Sequence, residues 1–224
     1  MNSLSNSNIE LTLNGWIKEF LTKQKEGLTG HIENALEPYI SYSWDKYPKD
    51  EIDKMDPLWK WVPFEQTAYW LDGAITLAKL LNDKELYDKT SKIVYNVINN
   101  ADNDGYLGPS FLKEAGKCNR WPFVVFARAC IALYYANHDI NIIKALKRHY
   151  LSCKVSYFNG RNVVNIETML LVYGITKNKE LLNLAINTYN QYQNDTNKDP
   201  TYCSNYTLAS SFNDNKKPIE HGVT

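Results

Sequence analysis

The residues of this sequence best equipped for chemistry gather at the starts of apolar helical patterns and in the long segments that precede them. Trp61, Glu65, Arg120, Trp121 and Glu167 stand at the helix starts, with Trp59, Tyr106, Tyr157 and Arg161 beside them. Aromatic faces mixed with carboxylates and guanidiniums suit a carbohydrate, because sugar C–H faces stack on rings while hydroxyls need charged or amide partners. Taken one at a time, Trp61 and Trp121 serve equally well as staples that pack a helix start into the core. As a set, the residues point to a ligand. Were the chain to turn over a glycoside by itself, Glu65 and Glu167 would be the carboxylate pair whose separation decides between retaining and inverting chemistry.

Other chemistries find little support. Cys118, Cys130, Cys153 and Cys203 are widely spaced and include no C-x-x-C pair, which excludes a zinc ribbon or a thioredoxin motif and leaves them as small buried hydrophobes. The glycines at 104–108 and 158–160 lack phosphate-loop spacing, and neither H-E-x-x-H nor G-x-S-x-G occurs. His31 falls inside an expected N-terminal helix over 11–36, and His138 occupies a turn between helices; neither reads as a ligand.

Three segments share a plan that would position those residues: an apolar helix, a short polar turn, then an amphipathic helix. In the first, Leu71, Ala74, Ile75, Ala78 and Leu81 keep a helical rhythm up to the Asn82-Asp83 turn. The second opens at Pro122 and breaks at Asn137-His138-Asp139. The third breaks at Lys177-Asn178, and its Glu180-Leu181 repeats Glu85-Leu86 of the first. The apolar helices are expected over about 64–81, 120–136 and 162–175. A helical hairpin cannot cover its own apolar face, so such units stack, with the apolar helices inside and the helices bearing Lys84, Lys92, Lys144 and Lys147 outside. The long connections then fall on one face, where binding sites usually lie. The predicted fold class is all-α, a partial (α/α)6 toroid of helical hairpins, in a single incomplete domain over 1–224 with 195–224 as a loose tail.

Charge and length set further bounds. The 25 basic residues balance the 25 acidic ones, so no net field draws the chain to nucleic acid or an anionic membrane, and no apolar run approaches the ~20 residues of a membrane span. The N-terminus lacks the features of a secretory signal, which predicts a cytoplasmic protein. The 16 Tyr and 6 Trp give an aromatic surplus able to line a ligand site.

Several strings resemble the β-L-arabinofuranosidase-type glycoside hydrolases of family 127: Gly15-Trp16, then EGLTGH at 26–31, PFEQTAYWLDG at 63–73, DGYLGP at 104–109, WPFVV at 121–125 and IEHGV at 219–223. The resemblance implies a six-hairpin (α/α)6 barrel that removes terminal L-arabinofuranose or a related sugar from plant-type glycans. It also implies a cysteine thiolate nucleophile in a zinc site, with those motifs downstream of His221-Gly222-Val223. No cysteine here matches the nucleophile, so no catalytic residue carries over, and zinc is expected only in a full-length relative. On the sugar-facing side, His221 matches the family's pocket histidine, and Glu65, Trp121 and Glu167 fall at helix starts that border the pocket. The expected function is that of a glycoside hydrolase-like protein truncated before its nucleophile; the alternative is a non-catalytic helical-repeat module binding a glycan or a protein. With about half the ring absent, an open apolar edge is expected to favour self-association.

Overall fold

The computed structural model describes residues 12–34, 44, 54, 62–109, 112–113, 121–152, 156–157 and 160–194. Among these the chain is all-helical, with no strand. Its α-helices are α1 (Gly15–Glu26), α2 (Val62–Leu81), α3 (Lys84–Asn99), α4 (Pro122–Asn137), α5 (Ile140–Ser152), α6 (Asn165–Thr176) and α7 (Lys179–Asn194). Short 3-10 turns occupy Ile32–Asn34 and Gly160–Val164. No helix among the described residues is long and apolar enough to cross a membrane.

Three turns repeat one geometry. Asn82, His138 and Lys177 each take the left-handed conformation, at φ 53°, 57° and 54°, where a non-glycine residue is uncommon. An Asx residue follows each of them. The Asp83 side chain accepts from the Leu86 N–H at 2.9 Å and that of Asn178 from the Leu181 N–H at 3.0 Å, so the repeated Glu-Leu steps are helix starts with the same cap. Asp139 instead accepts from the Asn141 N–H at 2.9 Å and takes a second bond from the Tyr95 hydroxyl.

Helix composition then sets the packing. The apolar helices form a row in which α2 packs on α4 and α4 on α6, while α3, α5 and α7 each pack on the apolar helix before them. Between Pro122 and Ile131 of α4 only Arg128 is exposed. A helix apolar on nearly every side belongs in the interior, and Phe123, Phe126 and Leu133 are fully buried there against Ile142, Ile143, Leu146, Met169 and Val172. Each such side chain contributes on the order of 2 kcal/mol by leaving water.

The N-terminal region differs from its expected single helix over 11–36. Helix α1 stops at Glu26, and His31 lies in a turn that leads into Ile32–Asn34. Gly30 sits so close to α1 that a Cβ would come within 1.9 Å of the Lys25 carbonyl oxygen, an approach that only glycine tolerates. The Trp70 indole N–H donates to the Thr29 carbonyl at 2.8 Å, and Lys89 bonds the Gly30 carbonyl at 3.0 Å and pairs with Glu33, so the turn is tied to α2 and α3. Exposed apolar side chains remain on α1, where Trp16 and Phe20 are 75% and 54% exposed, and on α6 and α7, where Leu170, Ile186 and Tyr189 are 44%, 48% and 52% exposed.

Candidate functional site

Each apolar helix of the row carries few charges, and their spacing is informative. Helix α4 has only Arg128, α6 only Glu167, and α2 has Glu65, Asp72 and Lys79 at seven-residue intervals. Seven residues is close to two helical turns, so the three charges of α2 share one face. The neighbouring helices are set so that Asp72, Lys79, Arg128 and Glu167 line one groove of about 390 Å³, walled by apolar residues such as Ile131 and Leu171 and by Tyr135.

Arg128 and Asp72 form the central contact, with Nη2 of Arg128 3.1 Å from Oδ2 of Asp72. The pair is lopsided. The Asp72 side chain is only 21% exposed, against 50% for Arg128. Burial holds the Asp72 carboxyl above the ordinary aspartate range, the Glu167 charge pushes the same way, and Arg128 opposes both without reversing them. Thr76 gives its hydroxyl to the Asp72 carbonyl at 3.0 Å, and the Lys79 ammonium reaches the Ala136 carbonyl at 3.3 Å. A half-open groove holding two carboxylates, a guanidinium, an ammonium and an aromatic ring can hydrogen-bond a polar ligand and pack its apolar face.

A second polar cluster is sealed. His149 is fully buried between the loop at 101–109, α4 and Tyr157. Its Nδ1 accepts from the Leu107 N–H at 3.0 Å, which leaves the proton on Nε2 to donate to the Tyr157 hydroxyl at 2.6 Å. The ring stacks on Phe123 at 3.8 Å and 9°. Burial pushes its pKa down to about 3, so the imidazole is neutral. The loop packs tightly here: Gly105, at φ +84°, would bring a Cβ within 2.6 Å of Arg148 Cγ, and Arg148 bonds the Asn103 carbonyl at 2.7 Å.

No family model, no curated protein and no solved structure matches this chain.

Of the sequence-derived candidates, Glu167 lies in the groove, and Glu65 is half-buried two turns before Asp72 on the same face of α2. Trp121, at the start of α4, is 9% exposed and belongs to the hydrophobic core. Trp61, Arg120 and His221 lie outside the described residues, as do Trp59, Cys118, Cys153 and Cys203 and the tail at 195–224. Tyr106 and Tyr157, expected beside the helix starts as part of a ligand-suited set, are buried at 2% and 3% in the cluster around His149. Cys130 is buried, and burial pushes its thiol far above the ordinary range, so it supplies no thiolate. Among the described residues no three His, Cys, Asp or Glu side chains group as a metal site.

Asp72 and Arg128 are not among the sequence-derived candidates. Asp72 lies inside the PFEQTAYWLDG string, seven residues after Glu65, and Arg128 is the sole charge of an otherwise apolar helix. Both signals were present: helical spacing for one, isolation for the other.

Proposed function

We propose that this chain is a glycoside hydrolase-like protein that binds a carbohydrate in the groove of Asp72, Arg128 and Glu167. In this reading the pairs α2–α3, α4–α5 and α6–α7 are helical hairpins forming part of an (α/α)6 toroid, and the groove is its inward, sugar-facing wall. One observation carries the proposal: every charged residue of the three apolar helices either lines that groove or, as Glu65, continues its face. Charges placed in apolar helices cost free energy unless they are paired or put to use. The resemblance to arabinofuranosidase-type enzymes supports a sugar as the ligand. Binding is a role these residues can fill: Arg128 donates, Glu167 accepts and Tyr135 offers a ring face.

Calorimetric titration with methyl β-L-arabinofuranoside and other neutral methyl glycosides tests this. Saturable binding that weakens on Arg128→Ala or Tyr135→Ala is expected, with no aryl β-L-arabinofuranoside cleaved. Absence of binding by any sugar to the folded protein would overturn it.

A second reading, a helical-repeat module that binds protein, is favoured by α7. From Leu181 to Asn194 that helix carries no charge, whereas α3 and α5 are studded with Lys. Its Ile186 and Tyr189 are exposed, and loss of charge with gain of Tyr marks interface cores. The partner proposed is a second copy, through this edge; sedimentation over a concentration series decides it, a monomer at every concentration being the result that removes it.

A further inference from the structure

The groove holds two positive and two negative side chains, so it offers no net field to a charged ligand. Its pairing is uneven. Asp72 is largely buried and lies 3.1 Å from one guanidinium nitrogen of Arg128, whereas the half-exposed guanidinium has five N–H donors and no acceptor. Glu167 is exposed in the same groove and offers acceptors only. It lies near enough to disfavour ionisation of Asp72.

Resting on the carbohydrate reading above, we infer that Arg128 and Glu167 jointly hold two adjacent hydroxyls of an uncharged sugar, with Asp72 behind them as the residue that positions Arg128. A hydroxyl both donates and accepts, so neighbouring hydroxyls can accept from the guanidinium while donating to the carboxylate, and all four groups are satisfied at once. Charged sugars fit less well. A uronic acid would set its carboxylate against Asp72 and Glu167, and an amino sugar its ammonium against Arg128 and Lys79. Tyr135 and Ile131 offer the apolar wall for the C–H face of the ring. Asp72, mostly buried and 3.1 Å from Nη2, anchors that end of the guanidinium, and the half-exposed remainder is turned to the ligand.

The test is a titration series on the full chain. The ligands are a neutral methyl glycoside, its singly deoxygenated analogues, the matching uronic acid and the matching amino sugar. The neutral sugar should bind best, and removal of either hydroxyl of one adjacent pair should weaken binding about ten-fold, the equivalent of one good hydrogen bond to a charged group. Glu167→Gln and Arg128→Lys should each cost about ten-fold for the parent sugar but little for the deoxy analogue that lacks the hydroxyl concerned. Asp72→Asn should weaken the parent sugar and add little on top of Arg128→Lys, as a positioning role requires. Should Asp72→Asn fail to fold, the two exposed-side variants still decide. If no sugar of any class binds, the carbohydrate reading itself fails. If the neutral sugar binds but the deoxy analogues and both variants match it, or if the uronic acid or the amino sugar binds more tightly, the inference fails while the carbohydrate reading stands.

Discussion

Helix α4 touches two polar clusters that could hardly be more different. On one face Phe123 stacks on His149, and on another, five residues and about 140° further round the helix, Arg128 reaches Asp72. At His149 each ring nitrogen has a partner, the group is neutral, and no part of it is exposed. At Arg128 one partner is mostly buried, the other is half in water, and the guanidinium has N–H donors beyond its 3.1 Å contact with Asp72. Satisfied polar groups in a closed interior hold a fold together, whereas unsatisfied capacity at an accessible groove is available to a ligand. Tyr106 and Tyr157, which the sequence offers among its ligand-suited residues, belong to the first kind, and the isolated helical charges to the second.

The contrast breaks most severely at His149. Replacing it by Ala removes the acceptor of the buried Leu107 N–H and opens a cavity beside Phe123, so a loss of about 3 kcal/mol or more is expected in urea unfolding. A variant as stable as wild type would mean that the cluster is not a structural lock.

The pH dependence of stability follows next. His149 titrates near 6.5 when exposed and at about 3 in the folded chain, so between these values the unfolded state binds more protons. Its contribution is fully present above pH 6.5 and is lost as pH falls toward 3, by about 1.4 kcal/mol per pH unit. Asp104, held low by Lys113, adds a loss of the same sign at lower pH. Unfolding free energies from pH 7 to 4.5 should fall in wild type and be much flatter in His149→Gln, which keeps an acceptor for Leu107 without the titration. Parallel curves would contradict the buried neutral imidazole.

A smaller effect tests the repeated turns. Asn178→Ala removes one cap bond and should cost about 1 kcal/mol, while Asp83→Ala should cost at least as much, because Asp83 also pairs with Lys25 at 3.1 Å. Thermal melts of the two variants check the order, and a more damaging loss at Asn178 would reverse it.

Much of the scaffold was legible in the sequence because helical periodicity and turn chemistry are local. Asn82-Asp83 and Lys177-Asn178 mark their breaks through backbone conformation and caps that neighbouring residues supply. The site was legible only in part. Glu167 could be picked out as a carboxylate at a helix start, but its association with Arg128 and Asp72 depends on how three helices pack, which periodicity within one helix does not encode. The destination of Tyr106 and Tyr157 was hidden for a related reason. Their partner is His149, on an amphipathic helix otherwise read as an outer face, and a histidine in such a pattern gives no local sign that it is sealed by a loop 42 residues away. Helix α1 is shorter than its pattern predicts because the close approach of Gly30 to Lys25 is a tertiary demand, visible in sequence only as two nearby glycines.

The smallest expected effect sharpens the comparison most. Glu167 is exposed, lies in the first turn of α6 and forms no ion pair among the described residues, so Glu167→Gln removes only a favourable charge at a helix N-terminus. That is worth a few tenths of a kcal/mol, and the relief of its repulsion on Asp72 offsets part of it. Thermal stability should therefore change by less than about 0.5 kcal/mol, well below the loss at His149, even though both substitutions alter a titratable residue of a polar cluster. If Glu167→Gln proved as destabilising as His149→Gln, the groove charges would be holding the helices together, and they would no longer be spare capacity for a ligand. If stability is unchanged while sugar binding is lost, the two clusters of α4 divide as their burial implies, one into structure and the other into recognition.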